Sequence, residues 1–130
     1  MSEIKRFEDL EIWKLSREIA KDIHELTKRN GFSKDYKLIN QIKSSSGSSM
    51  DNIAEGFERN GKHEFHQFLS ISKGSSGETR SQLYRAYDYG YITDQELELY
   101  VTKCLTLSRK TGNLMEYLRN SQIKGYKFRK

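Results

Sequence analysis

The sequence predicts an all-α protein, an antiparallel up-down-up-down four-helix bundle, and three observations carry that prediction. Apolar residues recur at spacings of three, four and seven along four separate stretches, the period of a helix with one buried face. The 130 residues include no proline, which long helices exclude because it lacks an amide N–H and collides with the preceding turn. Asn30-Gly31, Asn60-Gly61 and Gly90 break the chain, leaving short connections that fold consecutive helices back on one another.

The first predicted helix covers residues 9–29, with Leu10, Trp13, Ala20, Ile23 and Leu26 on its stripe and Ile12, Leu15 and Ile19 widening it. The second covers 34–59, with Ser33 as its N-cap. Its centre, Ser44-Ser45-Ser46-Gly47-Ser48-Ser49, has the composition of a linker. Leu38, Ile42, Ile53 and Ala54 nevertheless keep one helical phase across it, so the expectation is a helix whose small side chains admit a close neighbour. The third helix covers 62–89 and also turns small at its centre, at Ser72, Gly74, Ser75, Ser76, Gly77 and Ser81. Antiparallel packing of the second and third helices would bring these two small sections face to face. Thr93 and Glu96 form a capping box that opens the fourth helix, 94–121. Its stripe is Leu97, Val101, Cys104, Leu105, Leu107, Leu114, Met115 and Leu118. One domain, 1–121, is expected, followed by a basic tail, 122–130.

Net charge is +5 and its placement is uneven. Residues 103–130 hold eight cations, Lys103, Arg109, Lys110, Arg119, Lys124, Lys127, Arg129 and Lys130, against one acid, Glu116. Such a strip attracts phosphate backbones, anionic membranes or acidic proteins, or else serves as a solubilising helix end. No apolar run approaches the roughly 18 residues of a membrane span, and the N-terminus is too polar for a signal peptide. A lone cysteine, Cys104, forms no intramolecular disulfide and suits a reduced, cytoplasmic setting. Eight tyrosines exceed the needs of the core. Tyr84, Tyr87, Tyr89 and Tyr91 cluster at the corner between helices three and four, as an interface or as a wet core edge.

Catalytic and metal chemistries find little support. His63 and His66 share a helix face, but no third ligand marks a zinc site, and no Glu stands three residues before any histidine as di-iron bundles require. Gly74-Ser75-Ser76-Gly77 lacks the Lys and the strand of a phosphate loop. Gln41, Asn52, Glu55, Glu78 and Gln82 fall near one level of the second and third helices. They read as a buried polar network that fixes register, with a Glu55–Glu78 acid–base pair as the less favoured alternative. No enzyme activity, metal or cofactor is expected.

The same residues carry a family resemblance. Phe7, Asp9, Leu10 and Trp13 form an aromatic-x-Asp-Leu-x-x-Trp signature. Gln41, Ser48 and the run Asn52-Ile53-Ala54-Glu55-Gly56-Phe57 with Arg59 form a second. Phe68, Leu69, Gly74, Ser75, Glu78, Gln82 and Leu83 form a third. In these the chain resembles the four-helix-bundle proteins found as reading frames within intervening sequences of bacterial 23S ribosomal RNA genes. It departs from their pattern where Ser33 and Met50 replace usual prolines and where the Ser-rich run replaces a more Ala- and Arg-rich one. The resemblance implies a ring-like homopentamer without established enzyme activity. Similar small basic bundles act as accessory proteins of diversity-generating retroelements, binding a reverse transcriptase and nucleic acid. The leading expectation is therefore a non-enzymatic oligomer that binds RNA or DNA through its basic C-terminal quarter. The alternative is a protein-interaction scaffold that does not touch nucleic acid.

Overall fold

In a computed structural model, which describes residues 4–120, four long helices form the fold. They are α1 (Glu11–Leu26), α2 (Tyr36–Glu58), α3 (Lys62–Asp88) and α4 (Asp94–Asn120). Short 3₁₀ turns at Phe7–Asp9 and Phe32–Lys34 precede α1 and α2. The proposed tail, 122–130, lies outside the described residues. Among the described residues there is no strand, and no helix is long and apolar enough to cross a membrane.

Cross-helix bonds give the topology. Ser45 meets Gln82 while Ser49 meets Ser72, and Glu11 meets Lys110 while Arg29 meets Glu96. Residue numbers rise on one helix as they fall on the other, so α2 is antiparallel to α3 and α1 to α4. Tyr87 beside Asp94 and Lys73 beside Gly112 set α3 against α4 in the same way. Each helix packs on two neighbours in the cyclic order α1–α2–α3–α4, most extensively between α2 and α3.

The core is one cluster to which every helix contributes. Ile19 and Ile23 of α1, Leu38, Ile42 and Ile53 of α2, Leu69 and Leu83 of α3, and Leu107 and Leu118 of α4 are all at most 2 % exposed. The Ser-rich centre of α2 is unbroken helix. Its hydroxyls are satisfied locally and across the seam. Ser46 Oγ donates to the Ile42 carbonyl at 2.8 Å, while Ser45 Oγ lies 2.8 Å from Thr79 Oγ1 and donates to Gln82 Oε1 at 2.6 Å. Packing thus overrides the poor helix propensity of serine.

The start of α2 differs from expectation. Asp35, not Ser33, is the N-cap, accepting the Leu38 amide at 3.1 Å. Ser33 is held inside the preceding 3₁₀ turn, where its amide donates to the Arg29 carbonyl. Asp35 also accepts the Tyr91 hydroxyl at 2.8 Å, and Tyr91 stacks on Phe32 at 5.0 Å. The Leu38 amide and the Tyr91 hydroxyl hold the Asp35 carboxyl below the usual range. Tyr91 therefore ties the corner between α3 and α4 to the start of α2, whereas Tyr84, Tyr87 and Tyr89 are exposed.

The capping box forms as the sequence predicts. The Thr93 amide donates to Glu96 Oε1 at 2.9 Å, and the Glu96 amide to Thr93 Oγ1 at 3.2 Å. Arg29 adds a two-nitrogen grip on the same carboxylate. Chiefly through Arg29, the Glu96 pKa falls below its ordinary 4.5. A depressed carboxylate pKa adds stability that is present above the unfolded pKa and is lost as pH falls through the folded one. Wild type is therefore expected to be more stable than Glu96→Gln at pH 7, with the gap closing below about pH 4.5 in thermal melts.

Candidate nucleic-acid interface

The cations of α4 do not form one free strip. Lys103 reaches across to α1, with Nζ 2.7 Å from Glu18 and 3.3 Å from Asp22. Hydrogen bonding to Glu18, then to Asp22, raises its pKa. Lys110 pairs with Glu11. Both lysines thus bind α4 to the acidic face of α1. Among the described residues Arg119 pairs with Glu116, one turn away on its own helix, at 2.7 Å and with both side chains more than 60 % exposed. Exposed pairs of that kind are weak and readily exchanged for a phosphate. Arg109 is exposed with no ionic partner among the described residues. Lys124, Lys127, Arg129 and Lys130 lie outside the described residues.

A second basic grouping appears that sequence reading did not assemble. At the end of the bundle where α3 begins and α4 finishes, Lys62, His63, His66, Leu118 and Arg119 line a cavity of about 300 Å³. Antiparallel packing creates it by bringing position 119 beside the first turn of α3. The N-cap of α3, Gly61, offers no side chain of its own to the first-turn amides, and the Glu64 carboxylate of that turn lies close to it. His66 Nε2 is buried without a hydrogen-bond partner among the described residues. The only sequence hint was that His63 and His66 share a face. Among the described residues no group of His, Cys, Asp and Glu converges as a metal site.

The polar set expected to be one buried network is divided. Asn52 and Gln82 join the α2–α3 seam: Asn52 Nδ2 donates to Ser48 Oγ at 3.0 Å, Ser48 meets Ser75 at 3.0 Å, and Gln82 accepts from Ser45. Gln41 Oε1 accepts from Arg85 at 3.0 Å. Glu55 and Glu78 are exposed, and Glu55 pairs with Arg59 on its own helix. The helical period turns both carboxylates outward, so the cross-helix register contacts run through serine hydroxyls and amides. Among the described residues no hydrogen bond joins Glu55 to Glu78, and the two carboxylates line different clefts.

The chain matches the model of the 23S rRNA-intervening sequence protein family over residues 8–113. It belongs to that family. No curated protein matches it. Among solved structures it is similar to a protein of unknown function from the S23 ribosomal protein family of Bacteroides thetaiotaomicron VPI-5482. Identity is 20 %, covering 81 % of this chain and 98 % of that one, with a TM-score of 0.73, a likeness that establishes the shared fold.

The geometry explains the signatures of this 23S rRNA-intervening sequence protein. Phe7 packs edge-on against Trp13 at 5.1 Å, and Leu10 between them is buried, so the N-terminal signature pins the entry to α1. In the central signature Ile53 and Phe57 fill the core, while the missing side chain of Gly56 leaves room for Phe65 and Phe68 of α3. The family match ends before Arg119 and the four tail cations, which are thus features of this chain beyond the matched segment.

Cys104 is buried, and burial pushes its thiol up to about 11. The thiolate is the reactive form, so at pH 8 it is nearly absent. Thiol reagents are expected to label Cys104 slowly in the native protein and rapidly after denaturation, read by mass spectrometry.

Proposed function

We propose that this protein is a non-enzymatic, oligomeric bundle that binds RNA or another nucleic acid at the end where α4 finishes. One observation carries the reading: Lys62, His63, His66 and Arg119, from two helices, line one cavity, and the sequence continues from Asn120 with four cations and no acid. Phosphate contacts made by such groups position a nucleic acid without reading its sequence. Lys103 and Lys110 are assigned instead to holding α4 on α1. Arg109 stays a candidate contact. A cytoplasmic location and a ring-like homopentamer, as the family resemblance implies, belong to the same proposal, and in a ring each basic end would add to the others through avidity.

Labelled RNA at low salt tests it. Binding should weaken linearly in log–log form as salt rises. Arg119→Gln is expected to reduce that slope by about 1, and Lys103→Gln to leave it unchanged. Absent or salt-insensitive binding sinks the proposal, and equal effects of the two variants would move the contact surface elsewhere.

Exposed apolar residues support a second reading, a protein scaffold such as a reverse-transcriptase accessory subunit. Ile71, Leu99 and Leu105 are each about half exposed on α3 and α4. A partner that stays bound after nuclease treatment, with no RNA affinity in the isolated protein, would favour it.

A further inference from the structure

Lys62 and His66 are four residues apart and His63 and His66 three, so the three side chains share one face of α3. Antiparallel packing sets Arg119 of α4 across from them, and Leu118, 2 % exposed, gives the cavity between them an apolar wall. Among the described residues no carboxylate lines this cavity. Glu64 stands about 200° round the helix from Lys62. Glu116 holds Arg119 through an exposed pair that a stronger anion displaces. His66, which lines the same cavity, keeps its Nε2 buried and without a hydrogen-bond partner among the described residues. That nitrogen can carry the proton of the neutral ring and always carries one in the charged ring, so a ligand oxygen would satisfy it.

We propose that this cavity takes a terminal phosphate monoester, the 5′- or 3′-phosphate end of a nucleic acid, in preference to an internal phosphodiester. The inference rests on the nucleic-acid reading above and narrows it from the backbone to the chain end. The first argument is size. Small-ligand pockets start at about 300 Å³. A cavity of about 300 Å³ between two helix ends admits the end of a chain, whereas an internal phosphate needs a groove through which the strand enters and leaves. The second is charge. A phosphate monoester carries about −1.5 to −2 charges at pH 7 and three acceptor oxygens, against a single charge for an internal phosphate. The third is the donor set. The Arg119 guanidinium fits two phosphate oxygens side by side, Lys62 adds a compact cation, and the imidazoles of His63 and His66 add N–H donors from α3. The apolar wall at Leu118 keeps water from one side, which strengthens each of these contacts.

Labelled single-stranded RNAs of one sequence, ending in a 5′-phosphate, a 3′-phosphate or hydroxyls alone, test it at low salt with the full chain. A hydroxyl-ended RNA extended until its charge matches removes the effect of total charge. One phosphorylated end is expected to bind about tenfold tighter than the charge-matched RNA, and the two phosphate arms decide which end is read. His66→Phe, which keeps a ring and removes the donor, should abolish that preference and leave the weaker binding of the hydroxyl-ended RNA. In the wild-type protein, the ring resonances of His63 and His66 should shift with the phosphorylated RNA and not with the hydroxyl-ended one, a readout independent of any variant. Equal affinities for all the RNAs overturn the inference and leave the nucleic-acid reading standing. A preference that survives His66→Phe with the histidine resonances unmoved overturns it as well. Failure of every RNA to bind overturns both.

Discussion

Replacing Gly56 by Ala is expected to destabilise the bundle by about 1–3 kcal/mol, although alanine is the better helix former. A Cβ at Gly56 would sit 2.6 Å from Phe68 Cβ and 3.0 Å from the Phe65 ring. Neither neighbour can yield easily. Phe65 is buried and packs edge-on against Phe57 at 5.9 Å, and Phe68 Cβ moves only with the backbone of α3. The same exchange at Gly47, Gly74 or Gly77 should do the opposite. A Cβ at any of these meets nothing within 4 Å, so alanine should add about 0.5–1 kcal/mol per site through propensity and a less flexible unfolded chain. Chemical denaturation of the four single variants checks the signs. A loss of stability at Gly74 or Gly77 would reveal another molecule pressed against α3 there.

Ser72→Leu should be the other severe substitution, costing about 1–3 kcal/mol or more, whereas Ser72→Ala should cost about 0.5–1.5 kcal/mol. Ser72 is 1 % exposed, and its hydroxyl donates to the Ser49 carbonyl across the seam at 2.7 Å. Alanine loses that bond but keeps the backbone spacing. Leucine must force α3 away from α2 along the bundle's most extensive contact, which also carries the Ser45–Thr79 and Ser48–Ser75 contacts. Denaturant midpoints should rank wild type above Ser72→Ala and that above Ser72→Leu. If leucine were tolerated as well as alanine, the seam would be looser than these distances state.

Small residues mark both predictions, and they show how far one sequence can be read. Facing small sections were legible from composition. Their division of labour was not, because it depends on about 100° of rotation per residue. Ser45, Ser46, Ser49, Ser72, Ser75 and Ser76 point inward, and Gly47, Gly74 and Gly77, a residue or two away, point to open space. The same rotation turns Glu55 and Glu78 outward while Asn52 and Gln82 stay at the seam.

The charged residues follow the same division. The sequence alone determined that four amphipathic helices would form, where α2 and α3 stop to within a residue, and that positive charge accumulates after residue 102, whereas α1 ends at Leu26, short of the expected 29. Periodicity, caps and charge counts are local properties, and each was legible without knowledge of a neighbour. Only the tertiary structure decided which cations are already engaged. Lys103 and Lys110 look no different in sequence from Arg119, yet antiparallel packing sets them against carboxylates of α1 and sets Arg119 beside Lys62, His63 and His66. Partners separated by roughly 55 to 100 residues meet only when helices fold back on one another, so ion pairing and the basic cavity are properties of the packed bundle.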